Sequence, residues 1–139
     1  METFIIMAIL ESISKCVNWY QNNYSKATPD QLLDIKDKMV TLNYNLAEEL
    51  AYFKKEYNLK HFDRRIQISR QKNELINGGK SATAAESMAT EQSAEVYKSE
   101  LENESAAVRL DLLLRQSNKI VESITQRLAV IRDEMKQNN

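Results

Sequence analysis

Three stretches of the chain repeat apolar residues at helical spacing. Ile6, Leu10, Ile13, Val17, Tyr20 and Tyr24 advance by four and three residues in turn. That rhythm keeps them on one face of an α-helix and predicts a first helix over 2–25, weakened at its end by Asn22, Asn23 and Ser25. A second stripe, Leu32, Ile35, Met39, Leu42, Leu46, Leu50, Phe53 and Tyr57, predicts a helix over 29–77. It drifts near Asn58 and runs less regularly through Leu59, Phe62 and Ile66, the pattern of a kink, a stutter or a change of packing partner. The third stripe is a heptad seam: Leu110, Leu114, Ser117, Val121, Ile124, Leu128, Ile131 and Met135. It belongs to a helix over 83–137 whose first part, up to Glu104, has few large apolar residues and is expected to be solvent-rich. Leu112 and Leu113 widen the seam beyond a two-stranded one and favour a bundle.

The helix ends are signed by residue chemistry. Thr28-Pro29-Asp30-Gln31 reads as a capping box with proline at the first helical position. Asn77-Gly78-Gly79 stops the second helix, because glycine accepts the left-handed conformation of a C-terminal cap. Thr83 followed by Glu86 reads as a second capping box.

Composition agrees with helices. Two glycines, one proline and 28% charged residues in 139 leave little room for strands and turns. The expected architecture is all-α, a single helical domain over 1–139. It is a long antiparallel helical hairpin or bundle with an N-terminal helix and coiled-coil-like packing. Unbroken, the second and third helices would each reach on the order of 70–80 Å at 1.5 Å per residue. Rods of that length bury their stripes most economically by side-by-side association. An oligomer is therefore expected, with Leu110, Leu114, Val121, Ile124, Leu128 and Ile131 as its core seam.

Cys16 is the single cysteine and shares a stripe with Ile13, Val17 and Tyr20, so it reads as a buried small hydrophobe in a reducing cytoplasm. The apolar run from Phe4 to Leu10 is too short to span a bilayer, which takes about 20 residues. Glu2 stands where a signal peptide would be cationic. The run reads as a helix end that packs on protein; the alternative, interfacial membrane contact, lacks the cationic face such a helix usually shows, so no membrane partner is expected.

Charge changes the picture. Between Lys54 and Lys80 lie eight cations against three acids, while Glu86 to Glu104 holds six glutamates and one cation, Lys98. A formal net charge of −1 hides this segregation. Lys54, Lys55, Lys60, Arg64, Arg65, Arg70, Lys72 and Lys80 are interleaved with Tyr52, Phe53, Tyr57 and Phe62. Cations for phosphates and aromatics for unpaired bases are the ingredients of single-strand binding, sequence-tolerant and salt-sensitive. The same segment can instead dock on the acidic one, within the chain or on a neighbour. Phe53 and Tyr57, at helical spacing, read first as core.

Reaction chemistry is sparse. His61, between Lys60 and Arg64, has no second ligand in view and reads as solvated or phosphate-facing. Gly79-Lys80-Ser81 has the end of a phosphate-loop motif, but the first glycine of such a loop would fall on Glu74 and no strand precedes it. No nucleophile, base and orienting group can be assembled, so neither an enzyme, a cofactor nor a metal is expected.

The run Arg70-Gln71-Lys72-Asn73-Glu74-Leu75-Ile76-Asn77-Gly78 is similar to a segment of the UvsY-like bacteriophage recombination mediators. Ser105-Ala106-Ala107 through Met135, with Leu113, Leu114, Ile124, Arg127 and Ile131, resembles the family's C-terminal helix. The resemblance covers roughly residues 60–135 and leaves the N-terminal third unmatched. It implies an all-helical oligomer, often a ring, in the host cytoplasm. Such proteins bind single-stranded DNA and help load a recombinase onto strands covered by single-strand-binding protein. Arg70 and Lys72 match the family's basic pair, while Arg64, Arg65, Lys60 and Lys80 rest on charge and position. The rival reading is a structural, adaptor or phage-assembly protein that uses the same helices for protein–protein contacts.

Overall fold

The structure, a computed structural model, describes residues 2–138, with side chains from Phe4 onward. Glu2, read above for its charge, has a side chain outside the described residues. The fold is all-helical: α1 (Glu2–Asn23), α2 (Pro29–Asn77), α3 (Ala82–Gln92) and α4 (Ala94–Gln137).

Local chemistry sets the ends. The Thr28 and Gln31 box closes in both directions, Gln31 N–H donating to Thr28 Oγ1 at 3.2 Å and Thr28 N–H to Gln31 Oε1 at 3.0 Å. At the far end of α2, Lys80 N–H donates to Leu75 O and Gly79 N–H to Ile76 O, both at 3.0 Å. Gly79 has φ +97, and the two bonds form a Schellman cap that satisfies end carbonyls. The cap of α3 differs from the expected one. Ser81, not Thr83, is the N-cap, its Oγ accepting from Ala84 N–H at 3.2 Å. The helix therefore starts as soon as the glycine turn permits, and Thr83 falls inside its first turn.

The expected helix over 83–137 is two helices. Ser93, 1% exposed, ends α3 with φ −92 and ψ 6. Its hydroxyl donates to Thr90 O at 2.9 Å and its N–H is shared between Ala89 O and Thr90 O. A buried serine that bonds the preceding turn competes with the helical ladder.

Residues group into two compact units, 1–50 with 110–139 and 51–109. In the first, α1, the start of α2 and the end of α4 enclose Cys16, Tyr20, Leu32, Ile35, Met39 and Ile124, with Val121, Leu128 and Ile131 packed against them. Tyr20 and Ser123 share a hydroxyl hydrogen bond of 2.7 Å. Full burial of a side chain such as Leu32 or Ile124 stabilises by about 1.5–3 kcal/mol. The heptad seam packs in part inside the chain: Leu110 and Ile124 are buried, and Leu114, Val121, Leu128 and Ile131 half-buried. Met135, counted in the seam, is 58% exposed. Leu42 packs against this core while half-buried, and the more deeply buried position beside it is the polar Asn43. Around Phe4, Ile5 and Met7 the start of α1 is exposed, and only Ile6 of that run is buried.

The second unit holds the end of α2, α3 and the start of α4. Its buried residues are small or polar: Ala85, Ala89, Ser93, Glu100 and Ala107. Half-buried Phe53, Tyr57, Ile68, Leu75, Met88 and Val96 supply its larger apolar contacts. Close-set alanines bring helices together but remove little apolar area, so polar contacts carry more of the alignment here.

Candidate nucleic-acid interface

The second unit contains the whole basic stretch of α2, and its geometry sorts those cations into two sets. One set faces α4. Lys60 donates through Nζ to Ser99 Oγ at 2.9 Å. Arg64 Nε donates to Glu100 Oε2, and His61 Nδ1 lies 2.6 Å from Glu100 Oε1. Arg64 also sets its guanidinium carbon 4.6 Å above the Tyr97 ring, and the Tyr57 and His61 rings stack at 6.1 Å. His61 was expected to be solvated or phosphate-facing; it is instead half-buried and turned onto a carboxylate.

Glu100 is the centre of this set. Its side chain is 4% exposed, yet the Arg64 guanidinium and then the His61 ring hold its carboxyl below the usual range against the cost of burial. The same bond pushes the Arg64 value further up. The network fixes the register of α2 against α4. Lys60 and Arg64, two of the expected binding residues, are thereby engaged inside the unit.

The other set faces solvent. Lys54, Lys55, Arg65, Arg70 and Lys80 are exposed, and none of them makes an ion pair among the described residues. Lys72 stands between the sets, half-buried and 3.9 Å from Glu86 of α3, a long pair on the surface. Arg70 borders a groove shared with Asp63, Ile66, Gln67, Gln71 and Glu74, whose two carboxylates dilute its field.

Helix geometry arranges the solvent-facing set. At about 100° per residue, Leu59, Phe62 and Ile66 lie roughly opposite the face that carries Lys60, His61 and Arg64. Phe62 is 59% exposed and Leu59 48%. On the same count exposed Lys55 falls within that stripe, Arg70 lies beside Leu59 and Arg65 on the flank next to Phe62, whereas Lys72 turns toward α3. The result is a ridge of apolar and aromatic side chains edged by cations. Phe53 and Tyr57 are half-buried, in line with a packing role, so Phe62 is the aromatic most open to a stacking base.

The acidic residue at the heart of the site was not singled out in the sequence. Glu100 is one of six glutamates in its segment, and no feature of that run distinguishes it. Only its partner, 36 residues away, gives it a role. Among the described residues no three of His, Cys, Asp and Glu converge as metal ligands, and no helix is long and apolar enough to cross a membrane. Comparison with known proteins returned no matching family model, no matching curated protein and no matching solved structure.

Proposed function

We propose that the protein is a non-enzymatic, oligomeric binder of single-stranded nucleic acid, working in the cytoplasm through the solvent-facing ridge of α2. One observation carries this reading: Arg65 and Arg70 are exposed and unpaired among the described residues, on the same side of α2 as the exposed ring of Phe62. Exposed cations exchange their counterions for phosphates at little cost, and an open aromatic face stacks on any base. Several copies acting together multiply modest contacts by avidity. The resemblance of residues 60–135 to the UvsY-like mediators gives the reading its biological form. In that form single-stranded DNA is the ligand, and a recombinase and a single-strand-binding protein are partners.

Fluorescence anisotropy with a labelled oligonucleotide tests it. With about three phosphate contacts per subunit, affinity should fall roughly tenfold to twentyfold between 50 and 200 mM salt. Absence of binding at micromolar protein and low salt would overturn the reading. The second reading, a structural or adaptor protein, is favoured by a different observation. Glu100 and Glu86 already answer Arg64 and Lys72, so part of the basic stretch serves protein contacts.

A further inference from the structure

We infer that the first unit holds a docking groove for an acidic amphipathic helix of a partner protein, on the side of the α2–α4 pair that α1 leaves open. α1 covers one side of that pair: Cys16 and Tyr20 join the core, and Tyr20 shares its hydrogen bond with Ser123 of α4. No other element of the unit covers the opposite side. There Leu33, Leu128, Ile131 and Met135 line an open groove of about 290 Å³, together with Arg132 and Lys136. Leu33 and Met135 are exposed, 46% and 58%. The apolar stripe continues along α2. On the helical count Val40 and Tyr44 fall within about 20° of Leu33. Both are exposed. From Leu33 to Tyr44 the stripe runs about 17 Å, three helical turns.

The charge on this side has one sign. No carboxylate lines the groove. Lys36, half-buried, falls on the same side of α2, between Leu33 and the core. Lys36, Arg132 and Lys136 make no ion pair among the described residues. The nearby acids point elsewhere. Asp30, Asp34 and Asp37 lie on the face of α2 opposite Leu32 and Met39, and Asp34 pairs with Lys38. Asp133 and Glu134 stand about 100° or more from Arg132 around α4. An apolar groove between two antiparallel helices, open along its length and cationic at its rim, matches a helix whose apolar stripe runs between carboxylates. A nucleic-acid strand would engage the cations and leave Leu33, Leu128 and Met135 uncovered, whereas such a helix satisfies both. Two copies meeting through this face would set Arg132 and Lys136 against their own counterparts, which disfavours a self-contact here. The proposal does not rest on the nucleic-acid reading, whose ridge belongs to the second unit.

Two labelled synthetic helices of about 20 residues, used as probes on the full chain, test the proposal. Both carry leucine at the a and d positions of their heptads; one has glutamate at e and g, the other lysine, and like charge keeps each from pairing with itself. In fluorescence anisotropy at low salt the glutamate helix should bind wild type at least about tenfold more tightly than its lysine twin. Leu33→Ser with Met135→Ser changes no charge and alters only exposed side chains. It should weaken binding of the glutamate helix by about tenfold or more, with circular dichroism unchanged. Arg132→Glu with Lys136→Glu should invert the preference, so that the lysine helix binds better. No binding at high micromolar protein, equal binding of the two helices, or variants that bind as wild type does would overturn the groove. Sedimentation velocity of the Leu33→Ser, Met135→Ser variant should match wild type. A loss of mass there would give the groove to a second copy of the chain and overturn the partner helix. Wild type that pellets with phosphatidylglycerol vesicles, beside a variant that does not, would give it to a membrane and overturn the proposal equally.

Discussion

Arg64 donates through Nε to Oε2 of Glu100, a carboxylate whose side chain is only 4% exposed. The pair joins α2 to α4 in the unit with the smallest apolar core, so its loss should be felt. Replacing Glu100 by Gln leaves a guanidinium without a countercharge, and a hydrogen bond to a charged group contributes about 1.5–3 kcal/mol. Arg64 is 20% exposed, and water near it screens part of that. Glu100→Gln should therefore cost about 2 kcal/mol in urea unfolding at pH 7. Because the folded value of Glu100 is lowered, its contribution is complete above the ordinary glutamate range and lost as pH falls through the lowered value. The gap between wild type and variant should hold from pH 7 down to about pH 5 and shrink below about pH 4. A gap that widens on acidification would show that the carboxylate is not the stabilising form.

Asn43 is the polar counterpart in the first unit. It is 5% exposed, donates to Asn118 Oδ1 at 2.9 Å and accepts from Ser117 Oγ. Asn43→Ala strands the buried Ser117 hydroxyl beside a cavity, while water replaces the bond to exposed Asn118, and should cost about 2 kcal/mol. Asn43→Leu combined with Ser117→Ala removes donor and acceptor together and should be near neutral or stabilising. Urea unfolding of the single and double variants as a cycle gives the coupling. Additive effects would mean that the two side chains do not share a bond.

The glycine pair offers a sharper contrast. Gly79 has φ +97 with nothing within 4 Å of an added Cβ, so Gly79→Ala meets backbone strain and no clash. It should cost about 1–2 kcal/mol, the penalty of a side chain in left-handed backbone. An added Cβ at Gly78 would sit 3.5 Å from the carbonyl oxygens of Glu74 and Leu75, ordinary contact in ordinary backbone. Gly78→Ala should change stability by less than about 0.5 kcal/mol or raise it slightly. Thermal melting of the two variants side by side separates the cases, and equal shifts would contradict the assignment of the cap to Gly79.

What was legible in the sequence was local. Thr28 and Gln31 are three residues apart, and Gly79 acts within its own turn, so residue type and spacing specify the structure. The stripe through Leu32, Ile35 and Met39 was legible for the same reason, since apolar burial follows helical period. Asn43 and Glu100 were not. Their partners lie 75 and 36 residues away, and a polar residue shows no outward sign that a distant helix will satisfy it. Leu42 does pack on the core, but the apolar stripe gave no sign that the polar Asn43 beside it is buried more deeply. The break at Ser93 was hidden as well, because serine is tolerated within helices and its burial decides whether it interrupts one. The candidate site was legible as a charged segment but not as two faces, since the position of α4 determines which cations remain outside.

Arg64 and Arg65 are neighbours in the chain with opposite surroundings, and they make the decisive comparison. Arg64 is bound to Glu100 and lies over Tyr97, while Arg65 is exposed on the side of Phe62. Arg65→Ala should leave the melting temperature within a degree or two, because an exposed side chain without a partner changes stability by no more than about 0.5 kcal/mol. It should weaken oligonucleotide binding and make the salt dependence shallower by about one phosphate contact per subunit. Arg64→Ala should do the reverse, lowering the melting temperature by several degrees as Glu100 loses its countercharge, with the salt slope of any remaining binding unchanged. Anisotropy titrations at several salt concentrations, paired with thermal melts, read both effects on the same preparations. If Arg64→Ala flattens the salt slope and Arg65→Ala does not, phosphate contacts belong to the inner set, and the ridge on the outer face of α2 loses its place as the binding surface.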